Sequence, residues 1–200
     1  MTLLEPTGFA EIELVVRKSR FIARGVPAAT VEEAQAALTG VKAAHPDASH
    51  VVHAYLVGAP GREIGSLTDA GEPRGTAGRP IMDILRGSPV RNVVIAVVRY
   101  FGGTKLGTGG LVRAYGGAAR EVLQKLRTRP LVLRDHLTIV TTYTYHDSLR
   151  RLLEASGAVI VLEDFTAAVT IEVEVPRHDR DDLEVSIQNL TGGTARIDYC

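Results

Sequence analysis

The sequence predicts an α+β protein of two domains, of which the second is ferredoxin-like with the element order βαββαβ. Strand and helix periodicities alternate along the 200 residues, and a proline follows a long helical pattern at Arg129-Pro130. The charge balance changes sign at the same point. Residues 1–130 carry 17 Lys and Arg against 11 Asp and Glu, whereas residues 131–200 carry 6 against 12. These two ranges are therefore the predicted domains.

The first domain is predicted to mix helices and strands. Thr30 and Glu33 form a capping-box pattern, which indicates where the first helix begins. Between Gly58 and Gly78 no periodicity survives, so that segment is predicted to be a long loop. The other predicted elements are two strands within 10–26 around Lys18-Ser19, helix 30–45, strand 49–58, short helix 79–87, buried strand 91–100 and long helix 109–127.

The second domain has the clearer pattern. Leucines recur at helical spacing after His146, and alternating valines and isoleucines mark a strand near its centre. The predicted elements are strand 134–145, helix 146–157, strands 158–165 and 167–175, helix 177–190 and strand 194–200. This order is the split βαβ arrangement.

Composition favours a cytoplasmic protein without a membrane partner. Hydrophobic residues make up 45% and charged residues 23% of the chain, as in globular domains. The N-terminus lacks a signal-peptide run, and the apolar stretch 93–98 is far shorter than the roughly 20 residues that span a bilayer. The single cysteine, Cys200, cannot form an internal disulfide. His50 and His53 point to opposite faces of a predicted strand, so we expect no metal and no cofactor.

A glycine-rich turn is the strongest candidate site. Residues 99–117 contain seven glycines, two arginines and a lysine, and no acidic residue. The order strand, turn, helix places backbone N–H groups beside Lys105 and Thr108, which favours an anion. The spacing fits neither a Walker A loop nor a dinucleotide fingerprint. The glycines that would let a ligand approach the backbone are Gly102, Gly103, Gly109 and Gly110.

One face of the long helix also suggests a binding surface. Leu111 and Tyr115 belong to the stripe that we predict to face the core. Arg113 and Arg120 lie on another stripe, with two adjacent glycines between them. A phosphate backbone could lie across that face. Close packing of another element on the glycines explains the pattern equally well, and both interpretations stay open.

The loop over 67–80 contains a possible polar site. Its members are Asp69, Glu72 and Thr76. Two carboxylates and a hydroxyl could serve acid–base or metal chemistry. Turn chemistry accounts for the same Asp, Gly and Pro residues, and no third metal ligand is evident. The sequence therefore predicts neither catalytic residues nor a metal here, although the length of the loop favours a function.

Three segments resemble the IMPACT/YigZ family: KSRFIA at 18–23, DAGEPRGTAGRPI at 69–81 and VVRYFGGTKLGTGGLVRAYGGAAREVL at 97–123. The resemblance implies an N-terminal domain like ribosomal protein S5 domain 2 and a ferredoxin-like C-terminal domain. Two such folds in this order are similar to the last two domains of translation elongation factor G, which implies contact with a ribosome or RNA. The family's usual Ser-Asp-Asp is Thr68-Asp69-Ala70 here, which puts a metal shared by two carboxylates in doubt.

These observations predict a non-enzymatic, translation-linked regulatory protein that binds RNA or a ribosomal surface through its basic N-terminal domain. Lys105, Arg113 and Arg120 would contact phosphates, and Arg99, Arg74 and Arg79 would support or extend the patch. One alternative is a small phosphorylated ligand bound at the turn 102–110. Another is a basic protein partner that binds the acidic C-terminal domain.

Overall fold

The computed structural model describes residues 2–199. The chain forms two compact units, one that ends at Leu131 and one that begins at Val132. Each unit has its own buried hydrophobic clusters. Cys200, the predicted free thiol, lies outside the described residues. Among the described residues, no helix is both long enough and apolar enough to cross a bilayer.

The first unit is built on a five-stranded antiparallel sheet of order β2-β3-β6-β4-β5. Its elements are β1 (Leu4–Pro6), β2 (Ala10–Val16), β3 (Ser19–Pro27), α1 (Val31–Ala44), β4 (His50–Val57), β5 (Ile64–Thr68), α2 (Gly78–Arg86), β6 (Val93–Tyr100), α3 (Thr108–Lys125) and β7 (Thr128–Pro130). Helices α2 and α3 pack on one face of the sheet and α1 packs on the other.

Strand β6 is the centre of this unit. Its first seven residues are all buried, because helices cover both faces of the sheet at this strand. A strand buried on both faces is a continuous apolar run rather than an alternation. The stripe of α3 that was predicted to face the core packs against one side of the sheet, since Leu111 and Tyr115 are both buried. The predicted core face of the long helix is confirmed.

The structure confirms the predicted N-cap of α1. It also shows that the prediction of one long loop between Gly58 and Gly78 was wrong. The Thr30 hydroxyl accepts a hydrogen bond from the Glu33 amide at 3.2 Å. The segment between Gly58 and Gly78 is not all loop, because it contains β5, an edge strand paired only with β4. Five residues with a glycine are too few to reveal an alternating pattern. The small sheet of β1 and β7 was also not predicted, and each of its strands has only three residues.

The second unit has the predicted element order β-α-β-β-α-β. Its elements are β8 (Arg134–Thr141), α4 (His146–Ala155), β9 (Val159–Phe165), β10 (Val169–Pro176), α5 (Arg180–Thr191) and β11 (Arg196–Tyr199). The strands form an antiparallel sheet of order β11-β8-β10-β9. Apolar residues of β8 and β10 pack against leucines of α4 and α5. Strand β8 is shorter than predicted, because a 3₁₀ turn follows at Tyr143–Tyr145.

Candidate functional site

Helix α3 begins with an open N-terminus. Its N-cap residue is Gly107, at φ 74°, a conformation that favours glycine. No side chain caps the helix, and its first turn contains no acidic residue. The first backbone N–H groups of any helix have no partner within the helix, and the macrodipole makes this end positive. Gly109 and Gly110 lie in this turn, so the predicted geometry of strand, glycine turn and helix is present.

Behind that turn lies a buried ion pair. The Arg99 Nη1 donates to the Glu72 Oε1 at 2.6 Å, and both side chains are almost completely buried. The Tyr115 hydroxyl donates to the same Oε1 at 2.6 Å. Burial, aided by the neighbouring Glu72 carboxylate, raises the pKa of the Tyr115 phenol far above its usual range. Tyr115 therefore remains a neutral donor that links α3 to the carboxylate.

Arg99, which was expected to support or extend the basic patch, does not extend its exposed surface. Its residue exposure is 5%, because it lies on the central strand of the sheet. The guanidinium carbon lies 5.4 Å from the Phe21 ring centroid and 5.5 Å from that of Phe101. A hydrogen bond at 3.4 Å joins Arg99 Nη2 to Ser19 Oγ. Arg99 Nε is buried without a hydrogen-bond partner among the described residues.

His50 lies beside this ion pair, at the start of β4. Its Nδ1 is 2.9 Å from the carbonyl oxygen of Ala70. A carbonyl oxygen only accepts, so Nδ1 carries the proton, and Nε2 lies 3.9 Å from Glu72 Oε1. His53 is separate from this cluster. Burial, together with the nearby Lys42 charge, lowers the pKa of His53 to about 4, so its ring is neutral at pH 7.

These groups form the walls of one cleft of about 420 Å³, which we call the α3 cleft. Its charged and polar lining residues are His50, Glu72, Arg99, Lys105 and Thr108, and its other lining residues are Pro73, Phe101, Leu106, Gly107 and Leu111. The structure therefore brings together two predicted site residues from the turn and α3, Lys105 and Thr108, with Arg99 of β6 and Glu72 of the loop before α2. Because Arg99 neutralises Glu72, the Lys105 ammonium and the end of α3 make the cleft electropositive.

The other members of the predicted polar site do not face this cleft. The Asp69 carboxylate accepts three backbone hydrogen bonds, from Gly75 at 2.7 Å, Gly78 at 2.9 Å and Ala77 at 3.1 Å. Burial acts to raise the pKa of Asp69, but these donors hold it below its usual value. Thr76 Oγ1 donates to the Pro73 carbonyl at 2.6 Å. Both residues fold the loop and the start of α2, which supports the turn interpretation for them.

The glycines of the turn have different roles. A Cβ added to Gly102 would lie 2.1 Å from the backbone carbonyl of Lys18, so a side chain does not fit there. The Gly102 amide also donates to Ser19 Oγ at 3.2 Å. Gly103 is exposed with φ 80°, and nothing lies within 4 Å of its added Cβ. Gly102 therefore serves packing against the β2–β3 turn, whereas Gly103 faces open space.

The exposed face of α3 borders two further clefts. One lies between α3 and the β2–β3 hairpin and is lined by Arg17, Leu106, Arg113 and Glu121 among others. The next lies between α3 and α2 and is lined by Arg113, Arg120, Asp83 and the two adjacent glycines among others. Leu106 lines both the first of these and the α3 cleft, and Arg113 lines both of the further clefts. The three clefts are therefore neighbours along α3.

Four exposed cations line these clefts, Arg17, Lys105, Arg113 and Arg120, and the exposed Lys18 directly follows Arg17 in the chain; we call these five residues the basic strip. No carboxylate oxygen of residues 2–199 lies within 4.0 Å of their side-chain nitrogens. Arg17 and Lys18 occupy a two-residue turn in which both have positive φ, 45° and 70°. Few non-glycine residues adopt that conformation, so the turn holds two adjacent cations on a constrained backbone.

Two predicted arginines lie outside the strip. Arg79 pairs with Asp83 across one turn of α2, at 2.8 Å, so its charge is partly neutralised. Arg74 is exposed in the loop and lines none of the three clefts. Gly116 packs beside Pro80 of α2 at 3.8 Å from its added Cβ, whereas Gly117 meets nothing within 4 Å. Packing of another element therefore accounts for Gly116, whereas Gly117 faces open space.

The prediction from sequence missed His50, Ser19 and the Arg17-Lys18 turn as parts of the site. One signal was available for the buried cluster, since a tyrosine on a core stripe needs a hydrogen-bond partner for its hydroxyl. Nothing in the local pattern identifies Glu72 as that partner. Among residues 2–199, no group of three or more His, Cys, Asp or Glu side chains is arranged to hold a metal ion.

Comparison with known proteins identifies the family. The Impact N-terminal domain matches residues 17–123, and the domain of unknown function DUF1949 matches residues 139–194. The IMPACT family member YigZ of Escherichia coli K12 is 35% identical over 184 residues, which cover 91% of this chain and 90% of the relative. An IMPACT family member from Thermus thermophilus is 48% identical over 120 residues, which cover 59% of this chain and 62% of the relative.

A solved structure covers the whole fold. The crystal structure of a hypothetical protein matches with a TM-score of 0.82 and 34% sequence identity, and the match covers 98% of this chain and 97% of the other. The first family match contains the α3 cleft and all five residues of the basic strip. This chain belongs to the IMPACT family.

Proposed function

We propose that this protein is a translation-linked regulator that binds RNA through the basic strip. The observation that carries the proposal is the set of five exposed cations without carboxylate partners among residues 2–199, aligned beside an uncapped helix N-terminus. An RNA backbone supplies phosphates at regular spacing, which suits a line of cations better than a single small anion does. The link to translation rests on the family resemblance to the last two domains of elongation factor G.

The charges of the surroundings support a nucleic-acid partner for the first domain. Each of the two clefts that flank Arg113 has one carboxylate, and one of these, Asp83, already pairs with Arg79. The guanidinium groups of Arg113 and Arg120 are exposed on one face of α3, where phosphates can reach them. We also propose that the first domain has the S5 domain 2-like fold and the second the ferredoxin-like fold, with the boundary near residue 130.

Binding of a mixed-sequence single-stranded RNA with a 5′-hydroxyl end, measured by fluorescence anisotropy across a salt series, tests the proposal. If the strip neutralises several phosphates, log Kd should vary linearly with log salt, with a contribution of about 0.7 per phosphate. The double variant Arg113→Ala with Arg120→Ala should lower the magnitude of that slope by about 1.4 and weaken binding.

A matched control removes two cations elsewhere. Lys42 lies on α1, which packs on the opposite face of the sheet, and Arg62 lies in the β4–β5 connection. Replacing both with alanine changes the net charge by the same amount and should leave the slope unchanged. Equal slopes for the wild type and the Arg113/Arg120 variant would contradict RNA binding through α3, as would the absence of binding at low salt.

A further inference from the structure

Strand β9 is an open edge of the sheet in the second unit. The sheet order β11-β8-β10-β9 places it last, and among the described residues it pairs with β10 alone. About half of the backbone N–H and C=O groups of an edge strand point away from the sheet. Such groups can pair with one more strand, which is how some domains bind extended peptides. The backbone of β9 therefore specifies an extended occupant.

The side chains of β9 are unusually apolar for an exposed edge. Four of its seven residues are large apolar residues that are 48–52% exposed: Val159, Val161, Leu162 and Phe165. No other strand within residues 2–199 has more than two exposed residues of this kind. A partner that covers them removes this apolar surface from water, which favours an occupied edge.

The other edge strands of the two larger sheets are protected in ways that β9 is not. Strands β5 and β11 have only five and four residues, and the two glutamates of β2 pair with arginines of β3. Natural sheets protect their edges with short strands, lysine, proline or bulges. Strand β9 has seven residues and contains no lysine or proline, although a bulge at Val161 twists it. Its sequence therefore lacks most of the features that keep another strand away.

The charges along β9 indicate a basic partner. Glu163 is paired with His146 at 2.9 Å, whereas no Lys, Arg or His nitrogen of residues 2–199 lies within 4.0 Å of the exposed Asp164 carboxylate. Glu172 and Glu174 of β10 lie on the same sheet face as Asp164. Opposite charges on neighbouring strands stabilise a sheet, so Lys or Arg side chains on an added strand complement this face.

A second copy of this chain fits the edge less well. When two copies of β9 pair with each other, each carboxylate faces either an apolar residue or another carboxylate, because the strand contains no cation. Like charges that lie opposite each other destabilise a sheet. Residues 131–200 carry 6 Lys and Arg against 12 Asp and Glu, and this charge opposes the close approach of two such domains.

We propose that β9 accepts a strand from a basic partner protein. The added segment is extended, places Lys or Arg beside Asp164 and covers Val159 and Leu162 with apolar side chains. These residues belong to the second unit and the basic strip belongs to the first, so binding at β9 is separate from the proposed RNA binding.

A short synthetic peptide of alternating valine and threonine tests the edge on the full-length protein. Two lysines at its N-terminal end lie beside Asp164 when the peptide pairs antiparallel with β9. Hydrogen exchange followed by NMR should show that the peptide slows the exchange of β9 amides by about tenfold or more. The amides of β11, the opposite edge of the same sheet, are the internal control and should be unchanged.

Two N-methylated forms of the peptide test the backbone pairing directly, because successive N–H groups of a strand point to opposite edges. One form carries methyl groups on its odd-numbered amides and the other on its even-numbered amides. Only one of these sets faces β9, so the two affinities should differ by about tenfold or more. Equal affinities would mean that side chains alone hold the peptide, which would overturn strand addition.

Substitutions on the edge test the side chains. Leu162→Lys places a cation on the apolar edge and should weaken peptide binding by about tenfold, whereas Asp164→Asn should weaken it by about threefold. Val185→Lys is the matched control, since Val185 is a similarly exposed apolar residue on α5, and it should have no effect. All three positions are exposed, and circular dichroism would verify that the variants are folded.

Absence of peptide binding at millimolar concentration would overturn the inference, as would protection of β11 to the same extent as β9. A dimer of the free protein that forms with rising concentration and is lost in Leu162→Lys would assign the edge to a second copy and would also overturn it. None of these results bears on the proposed function, which is tested by the salt dependence of RNA binding.

Discussion

The N-terminal ends of α2 and α3 belong to the same domain but differ in how their backbone donors are satisfied. At α2 the Asp69 carboxylate accepts hydrogen bonds from Ala77 and Gly78, so the positive end of the helix is occupied from within. At α3 the N-cap is a glycine, and no side chain caps the helix. Both ends follow glycine-rich segments, but only the segment before α2 contains carboxylates. The open end is therefore the one available to an external anion.

Glu72 and Asp69 explain why the N-terminus of α2 has carboxylate partners and the N-terminus of α3 has none. Both carboxylates come from the loop before α2, and each is held by internal partners. Glu72 bridges that loop to β6 and, through Tyr115, to α3. The loop therefore uses its acids to build the domain, and the α3 end keeps its cations free of carboxylate neighbours. The carboxylates of the loop before α2 therefore have structural partners, whereas no side chain caps the end of α3 that follows the glycine turn.

Removing the Glu72 carboxylate, which links the loop before α2 to β6 and α3, should have the largest effect on stability. The substitution Glu72→Ala leaves the Arg99 charge buried without its partner, and we expect a loss of about 3–5 kcal/mol in the free energy of unfolding. Urea denaturation would measure it. Glu13→Ala, which breaks an exposed pair with Arg20, is the control and should cost only a small fraction of that. Similar losses for the two variants would contradict the structural role of Glu72.

Asp69→Ala should have the next largest effect. It removes the acceptor of three backbone N–H groups at the start of α2, and we expect a loss of about 2–3 kcal/mol in the free energy of unfolding. Asp69→Asn keeps one acceptor oxygen and should lose less. If Asp69 were instead part of a binding site, stability would change little and ligand affinity would fall.

The contribution of Asp69 should also depend on pH. Backbone donors, working against burial, place the pKa of Asp69 in the folded protein below the ordinary value of 3.8. The ionised form is thus favoured by folding, and its contribution is complete above that value and is lost as the pH falls through the lower folded-state pKa. The difference in stability between the wild type and Asp69→Asn should therefore shrink between about pH 5 and about pH 2. A difference that is constant over this range would contradict the assignment.

Placing a carboxylate at the N-terminus of α3 should give the smallest change in stability. This change should be a gain rather than a loss. Thr108→Asp places a carboxylate at the uncapped N-terminus and should stabilise the fold by about 0.5 kcal/mol, through the helix macrodipole. The same charge on α1, as Gln35→Glu, is the control for net charge. Thermal unfolding would measure both. A destabilised Thr108→Asp variant would indicate that this end is already satisfied.

Strongly periodic elements were predictable because their local pattern determines them. The stripe of α3, the capped start of α1 and the β-α-β-β-α-β order of the second unit all follow from spacing and capping chemistry. Strands β1, β5 and β7 were not predicted. They have three to five residues and pair at edges or with each other, so tertiary pairing rather than local pattern defines them.

The candidate site was predictable as segments but not as contacts. Lys105 and Thr108 were placed beside a helix N-terminus, and they line the α3 cleft. Arg99 was expected to support or extend the basic patch and is instead buried in an ion pair with Glu72. A strand that is buried on both faces gives no alternation from which to infer the direction of one arginine. The approach of Gly102 to the Lys18 backbone joins residues 84 positions apart, which no local pattern encodes.

The sequence by itself determined the order of the main elements, the family, the charge asymmetry and the glycine turn that precedes α3. These depend on residue type and on the order of residues along the chain. Only the tertiary structure decided which charged side chains of the described residues have an ion-pair partner. Glu72 meets Arg99 and Tyr115 because the sheet order brings the loop before α2 next to β6 and α3. Ion pairing depends on distances between side chains that lie far apart in the chain, and those distances exist only once the strands are paired.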